Sequence, residues 1–230
     1  MAKSPKPGPD SLWTRYTVTL DGLTPLCGSV PSDPEIVGAW LKARQPRVRP
    51  PGAKSMQETN EEVLASLERG EEYDEASCQI LVFQRHEGAC VERFDTLRAH
   101  IKDCARVVSG YTGRIEKERS FATKAVNGLY VAETPYWVPI LRPDGTPVTK
   151  HDAETERAIR TPRGASALKR FERIEPWRVV FTLKVLTVGG KMAVAEDDVH
   201  MIFTYGGTHG YAGERGADGG RYTYDLTLQG

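Results

Sequence analysis

The C-terminal stretch "GGTHGYAGERGADGGRYTYDLTLQG" (206–230) places seven glycines before an alternating run that is typical of a strand. Val199, Ile202 and Phe203 precede the glycines with helical spacing, so the predicted order is helix, glycine-rich loop, strand. A P-loop or a dinucleotide-binding loop follows a strand and opens a helix, and the reversed order here argues against both. Because glycine lacks a Cβ, backbone N–H groups in such a loop can approach an anion closely. The loop is therefore predicted to bind phosphate, with a flexible hairpin before the last strand as the structural alternative.

The elements upstream of this loop predict the fold class. Long alternating strands are predicted over 13–20 and 177–188, and amphipathic helices over 94–109 and 194–205. Gly206 is expected to end the second helix. Shorter strands are predicted at "CQILVFQR" (78–85), "ACVERF" (89–94), "GLYVA" (128–132) and "YWVPIL" (136–141). This order predicts an α+β fold with a mainly antiparallel sheet and helices on one face.

The sequence predicts a single domain. Residues 1–12 are expected to form a flexible arm, and 13–230 a single domain with an irregular insertion around 111–174. Additional helices are predicted at 33–44, behind a Ser or Asp cap, and at 60–69, behind a capping box.

Charge is balanced overall and uneven locally. Lys plus Arg and Asp plus Glu number 31 each, so long-range steering of a ligand must come from local asymmetry. Segment 58–75 is acidic and segment 160–184 is basic, and each could be an ordinary solvated face or a contact surface between neighbouring subunits.

The four cysteines have irregular spacing, which predicts reduced thiols in a cytoplasmic protein. A zinc site formed by Cys78, Cys90, His100 and Cys104 is an alternative, although zinc ligands normally come in close pairs. Neither a signal sequence nor a long apolar run is present, so no membrane association is expected. No cofactor is predicted.

Three segments resemble the RAMP superfamily of CRISPR-associated proteins. "GGTHGYAGERGADGGRYTYDL" is similar to the glycine-rich loop that these proteins carry before their last strand, and "YTVTLDGLTPLCGS" (16–29) to their first strand and turn. "LRAHIKDCARVV" (97–108) is similar to a basic helix of the Cas7-like branch. Ala217 and Asp218 depart from the family pattern.

The resemblance implies a ferredoxin-like (RRM-like) fold and binding of single-stranded RNA or DNA, with RNA favoured, by a repeating subunit of an antiviral ribonucleoprotein. Phosphates attract Arg and Lys, and bases stack on aromatic rings. Tyr222 and Tyr224 could offer rings or simply pack within the last strand. The predicted contact residues are Gly210, Tyr211, Gly213, Arg215, Gly219, Gly220 and Arg221 in the loop, Arg98, Lys102 and Arg106 on the helix, and Arg163, Lys169 and Arg170 in a basic segment that closes over the strand.

Two other classes of function remain open from the sequence. In an endoribonuclease, His209 would act as general base, although no second catalytic group is fixed by spacing. In a structural or assembly protein of the phage type, the charged patches and long loops would serve subunit contact without nucleic acid.

Overall fold

A computed structural model describes residues 12–31, 79–111, 121–160, 166–217 and 219–229. Several predicted features lie outside these residues: nearly all of the N-terminal arm, the helices at 33–44 and 60–69, the acidic segment 58–75, Cys78 and Arg163.

Thirteen strands and three helices are formed by the described residues. The strands are β1 (Trp13–Gly22), β2 (Leu26–Cys27), β3 (Val30–Pro31), β4 (Gln79–Val82), β5 (Gln84–His86), β6 (Ala89–Arg93), β7 (Leu129–Val131), β8 (Trp137–Leu141), β9 (Ala153–Arg160), β10 (Ser166–Ile174), β11 (Arg178–Val188), β12 (Lys191–Met192) and β13 (Tyr222–Leu228). The helices are α1 (Phe94–Tyr111), α2 (Phe121–Gly128) and α3 (Glu196–His209). None of these helices is long and apolar enough to cross a membrane.

The chain divides into two compact units. The larger contains Met1–Ser29, Val82–Thr155 and Phe171–Gly230, and the smaller contains Val30–Leu81 and Glu156–Arg170. Strands β9 and β10 pair with each other and contribute residues to both units. The C-terminal part of the insertion predicted around 111–174 therefore contains paired strands.

An eight-stranded sheet forms the framework of the larger unit. Its order is β13-β1-β11-β8-β6-β5, and β7 and β12 also pair with β11. The strand pairs β1–β11, β1–β13, β7–β11 and β6–β8 are antiparallel. The chain passes through α1 between β1 and β7, and through α3 between β11 and β13. The predicted α+β class with a large antiparallel sheet is confirmed.

The register of the central strands separates a buried face from a polar face. Val18 pairs with Phe181 and Leu20 with Val179, and these side chains are buried in one core with apolar residues of α1 and α3. The opposite face carries Thr17 beside Thr182, and both are partly exposed. Period-two alternation in the sequence thus produces one packed and one polar side of the sheet.

Helix α3 is longer than its sequence predicts. It continues through Gly206 and Gly207 to His209, and Gly210 at φ 89° follows as its C-cap. Both internal glycines pack tightly: a Cβ at Gly206 would overlap the Tyr222 hydroxyl, and one at Gly207 the Tyr222 carbonyl. The prediction that Gly206 ends the helix is wrong. Gly206 and Gly207 lie within the helix and allow it to pack closely against β13.

Candidate nucleic-acid interface

The glycine-rich loop folds back on itself and on the turn after β1. Gly210, Gly216 and Gly220 have φ values of 89°, 78° and 65°. A Cβ at Gly220 would overlap the Tyr211 carbonyl oxygen, and one at Gly213 would overlap the Gly28 carbonyl oxygen. The lack of side chains at these positions therefore permits close backbone packing within the loop.

Most N–H groups of the loop donate to carbonyl groups of the protein. Gly213 N–H donates to the Cys27 carbonyl at 3.1 Å, and Gly220 N–H to the Pro25 carbonyl at 2.8 Å. Gly219 N–H donates to the Glu214 carbonyl at 3.2 Å, and Gly210 N–H to the Gly206 carbonyl at 2.8 Å. The N–H groups that the sequence predicts as phosphate donors thus already have partners within the protein.

Two buried tyrosines anchor the ends of the loop. Tyr211 is 1% exposed, and its hydroxyl faces the Glu92 carboxyl without reaching good hydrogen-bond geometry. Tyr222 is 3% exposed, and its hydroxyl lies 2.9 Å from His100 Nε2. Neither ring is accessible to a base. Tyr211 therefore has no exposed ring for the predicted stacking role, and Tyr222 packs in the interior instead of offering its ring. Tyr224 is partly exposed, and its hydroxyl contacts His200 and Thr204 on α3.

Two titratable groups beside these tyrosines, Glu92 and His100, are also buried. Burial raises the pKa of Glu92 from 4.5 to about 7, although the Tyr211 hydroxyl and the Arg93 charge act in the opposite direction. Burial lowers the pKa of His100 from 6.5 to about 3, and the charges of Arg215 and His209 lower it further. Near neutral pH His100 is therefore an uncharged partner of Tyr222.

Helix α1 carries a row of cations at four-residue spacing. The Arg98 guanidinium lies 3.8 Å from the centroid of the Tyr130 ring, a cation–π contact that fixes its position. Lys102 follows, and its pKa is lowered by desolvation and by the charges of Arg98 and Arg106. Arg106 has 62% of its side chain exposed. These side chains, named here the α1 cation row, are close enough to affect one another electrostatically.

A cleft of about 280 Å³ lies where α1, α3 and the loop meet, and we call it the basic cleft. Arg215 reaches it from the loop, and its Nη1 lies 3.4 Å from Asp103 Oδ2. Arg106 Nη1 lies 3.1 Å from the other oxygen of the same carboxylate. The lining residues are His100, Asp103, Cys104, Arg106, Val107, Tyr205, His209 and Arg215.

The basic cleft carries excess positive charge. Asp103 is the only carboxylate among its described lining residues, and it contacts two guanidinium groups. Burial and the Asp103 charge raise the pKa of the Cys104 thiol to about 12, which keeps it protonated, while Arg215 partly opposes this shift. The cleft thus offers two arginines and a neutral thiol to an anion.

His209 lies in the same cleft in a fixed orientation. Its ring stacks on Tyr205 at 5.4 Å between centroids with 15° between the planes. A Cβ at Gly216 would be 3.5 Å from the imidazole, so the loop backbone lies against the ring as well. The structure therefore brings together Arg106, Arg215 and His209, three of the residues that the sequence singles out.

The remaining predicted contact residues lie elsewhere. Arg221 is partly buried, and its backbone holds the turn after β1: its N–H donates to Thr24 Oγ1 at 2.9 Å, and its carbonyl accepts from Leu23 at 2.7 Å. Lys169 and Arg170 belong to the smaller unit, where Arg170 Nε donates to Glu156 Oε1 at 2.7 Å.

Asp103 and Tyr205 are cleft residues that sequence reasoning missed. Asp103 is three residues before Arg106 on one helix, and Tyr205 is four residues before His209 on another, so both pairs have the spacing of neighbours on a helix face. A search for i, i+3 and i, i+4 partners of the predicted residues would have found them.

The structure brings two of the candidate zinc ligands, His100 and Cys104, into contact. Cys104 Sγ lies 3.7 Å from His100 Nε2. In the part of the chain that the structure describes, no group of three or more His, Cys, Asp or Glu side chains is arranged to hold a metal ion.

No known protein family and no curated protein matches the sequence. Inferences about function therefore rest on the residues themselves.

Proposed function

We propose that this protein binds single-stranded RNA along the α1 cation row and in the basic cleft. The observation that carries the proposal is the convergence of Arg106 and Arg215 from separate elements on one cleft with a single described carboxylate. Guanidinium groups bind phosphate by charge-assisted hydrogen bonds, and a row of cations can follow a nucleic-acid backbone. The RAMP-like segments of the sequence include both of these regions.

The proposal includes a ferredoxin-like fold for the core of the larger unit. Its support is the strand order β13-β1-β11-β7, with α1 and α2 between β1 and β7 along the chain and α3 between β11 and β13. In a ferredoxin-like βαββαβ unit, helices likewise lie between the first and second strands and between the third and fourth.

Fluorescence anisotropy with labelled single-stranded RNA tests the proposal. Wild-type protein is expected to bind with an affinity that falls steeply with salt. In the double variant Arg106→Ala/Arg215→Ala, the slope of log K against log salt should be about 1.4 shallower, because two phosphate contacts are lost. Lys150→Ala/Lys191→Ala is the matched control, since both lysines are exposed and lie outside the cleft.

Equal RNA binding by the two double variants would contradict the proposed site. A large homo-oligomer without any affinity for RNA or DNA would favour the assembly-protein alternative. Size-exclusion chromatography with and without RNA also tests the proposed repeating subunit, since RNA should convert the protein to a species whose mass grows with RNA length.

The position of His209 favours a second candidate function, an endoribonuclease. Its imidazole shares the basic cleft with Arg215, so a general base and a phosphate-binding cation are close together. Cleavage of end-labelled RNA that is lost in His209→Ala and retained in His200→Ala would support this candidate. RNA binding without turnover would remove it.

A further inference from the structure

A cluster of aromatic side chains lies beside the start of α1 and has no part in the site described above. Tyr136 is 44% exposed, and its ring contacts Phe94 and Trp137 edge-on, at centroid distances of 5.3 Å and 4.8 Å. His86 stacks on Trp137 at 5.6 Å with 26° between the planes. We call these four residues the aromatic platform.

The geometry of the platform fixes the Tyr136 ring. Edge-to-face contacts on two sides restrain its rotation, so an exposed aromatic surface is held in one orientation. Phe94 N–H also donates to the Tyr136 carbonyl at 3.2 Å, which ties the segment before β8 to the first residue of α1. A ligand that stacks on this ring would meet a preformed surface and lose little conformational entropy there.

The platform is continuous with the α1 cation row. Phe94, Arg98, Lys102 and Arg106 follow one another at intervals of four residues, so they lie on one slowly winding stripe of the helix. Each interval spans about 6 Å along the axis, and the whole stripe about 18 Å. Arg98, one turn from Phe94, is itself fixed over the Tyr130 ring.

The acidic residue at the start of this stripe is neutralised locally. Asp95 pairs with Arg93, whose Nε donates to Asp95 Oδ1 at 2.7 Å. A polyanion that follows the stripe therefore meets aromatic rings at one end and guanidinium groups at the other. Flat π surfaces beside regularly spaced cations match a strand whose bases and phosphates alternate.

We propose that the Tyr136 ring is a stacking site for a nucleobase of the strand whose phosphates contact the α1 cation row. This inference rests on the proposed function, since it assigns a base contact to the same bound strand. The site would accept any base, because every base has a π-face, and it would therefore add affinity without reading sequence.

Two RNA probes of equal length test the proposal, one a labelled 12-mer of uridine and the other a 12-mer of abasic ribose phosphate. In Tyr136→Ala, affinity for the uridine probe is expected to fall about tenfold, the size of one lost stacking contact, with an unchanged salt slope. Affinity for the abasic probe should be unaffected. Tyr136→Phe is the matched control, because it keeps the ring and should bind both probes as wild type does.

The outcomes separate this inference from the proposed function. If Tyr136→Ala binds the uridine probe as tightly as wild type, the stacking site is overturned while phosphate binding by α1 stands. An equal loss for both probes would also overturn it, because the ring would then act on the helix or on the backbone contacts. If wild type binds neither probe, the proposed function fails and this inference fails with it. Circular dichroism should match wild type in both variants. The melting temperature should be unchanged in Tyr136→Phe and a few degrees lower in Tyr136→Ala, which loses two edge-to-face contacts.

Discussion

The glycine-rich loop and helix α1 use their polar groups in opposite ways. In the loop, the N–H groups of Gly210, Gly213 and Gly220 donate to carbonyls of the same chain, and the tyrosines at its ends are buried. On α1 the backbone is satisfied within the helix, and charged side chains extend from it. The loop is therefore mainly a structural closure, whereas the charged side chains of the helix are partly or fully exposed.

This difference shows how one sequence signal can have two meanings. Glycine freedom serves either the approach of a ligand or the approach of another part of the backbone. Here the partners of the loop are its own backbone, the end of α3 and the turn after β1, which is far away in sequence. Arg215 is the exception in the loop, because its side chain reaches the basic cleft beside α1.

The largest expected effect concerns the glycines of the loop. Gly220→Ala should reduce the free energy of unfolding by about 4 kcal/mol, because it adds left-handed strain and an overlap with the Tyr211 carbonyl. Gly216→Ala is the matched control, since its φ of 78° is also left-handed but its nearest neighbour is 3.5 Å away. That change should cost about 1 kcal/mol. Urea denaturation followed by circular dichroism measures both, and equal losses would contradict a packing role for Gly220.

The next effect is a pH dependence of stability to which the buried Glu92 and His100 contribute with opposite signs. The pKa of Glu92 is raised to about 7, so the folded state holds a proton that the unfolded state releases between pH 4.5 and 7. This contribution to stability is present below pH 4.5 and is lost as pH rises toward 7. The free energy of unfolding of Glu92→Gln, measured relative to wild type, should therefore rise by about 3 kcal/mol between pH 4.5 and pH 8.

His100 acts in the other direction. Its pKa is lowered to about 3, so between pH 6.5 and 3 the unfolded state binds a proton that the folded state does not. Wild-type stability is therefore lost as pH falls through this range. The free energy of unfolding of His100→Gln, measured relative to wild type, should rise by about 3 kcal/mol as pH falls from 6.5 to 4. Urea midpoints between pH 4 and pH 8 measure both difference curves. Curves for the two variants that run parallel to wild type would show that these groups are not buried as described.

The smallest expected effect concerns the carboxylate between the two arginines of the basic cleft. Asp103→Asn should change the free energy of unfolding by less than about 1 kcal/mol, because both ion pairs are exposed. It should raise affinity for single-stranded RNA about threefold, since a negative charge no longer competes with phosphate. Asp225→Asn, an exposed change on β13, controls for the loss of one charge and should leave affinity unchanged. Lower affinity in Asp103→Asn would indicate that this carboxylate positions the arginines.

The sequence predicts the long strands and helices α1 and α3 but not α2, and it predicts the candidate site only in part. The strand at Trp13–Gly22 and the helix at Phe94–Tyr111 follow from periodicities of two and 3.6 residues, which are local properties. The cation row on α1 follows from the same local spacing. The burial of Tyr211 and the extension of α3 through Gly206 could not be predicted, because both depend on contacts with distant strands.

The sequence alone determined the long strands β1 and β11 and helix α1, which of their faces are apolar, and that Arg98, Lys102 and Arg106 lie on one side of a helix. Only the tertiary structure decided that the loop N–H groups have internal partners and that Arg215 meets Arg106 beside Asp103. The physical reason is that side-chain periodicity depends on neighbours within one element. Hydrogen-bond partners and local charge depend on which distant segments the fold brings together.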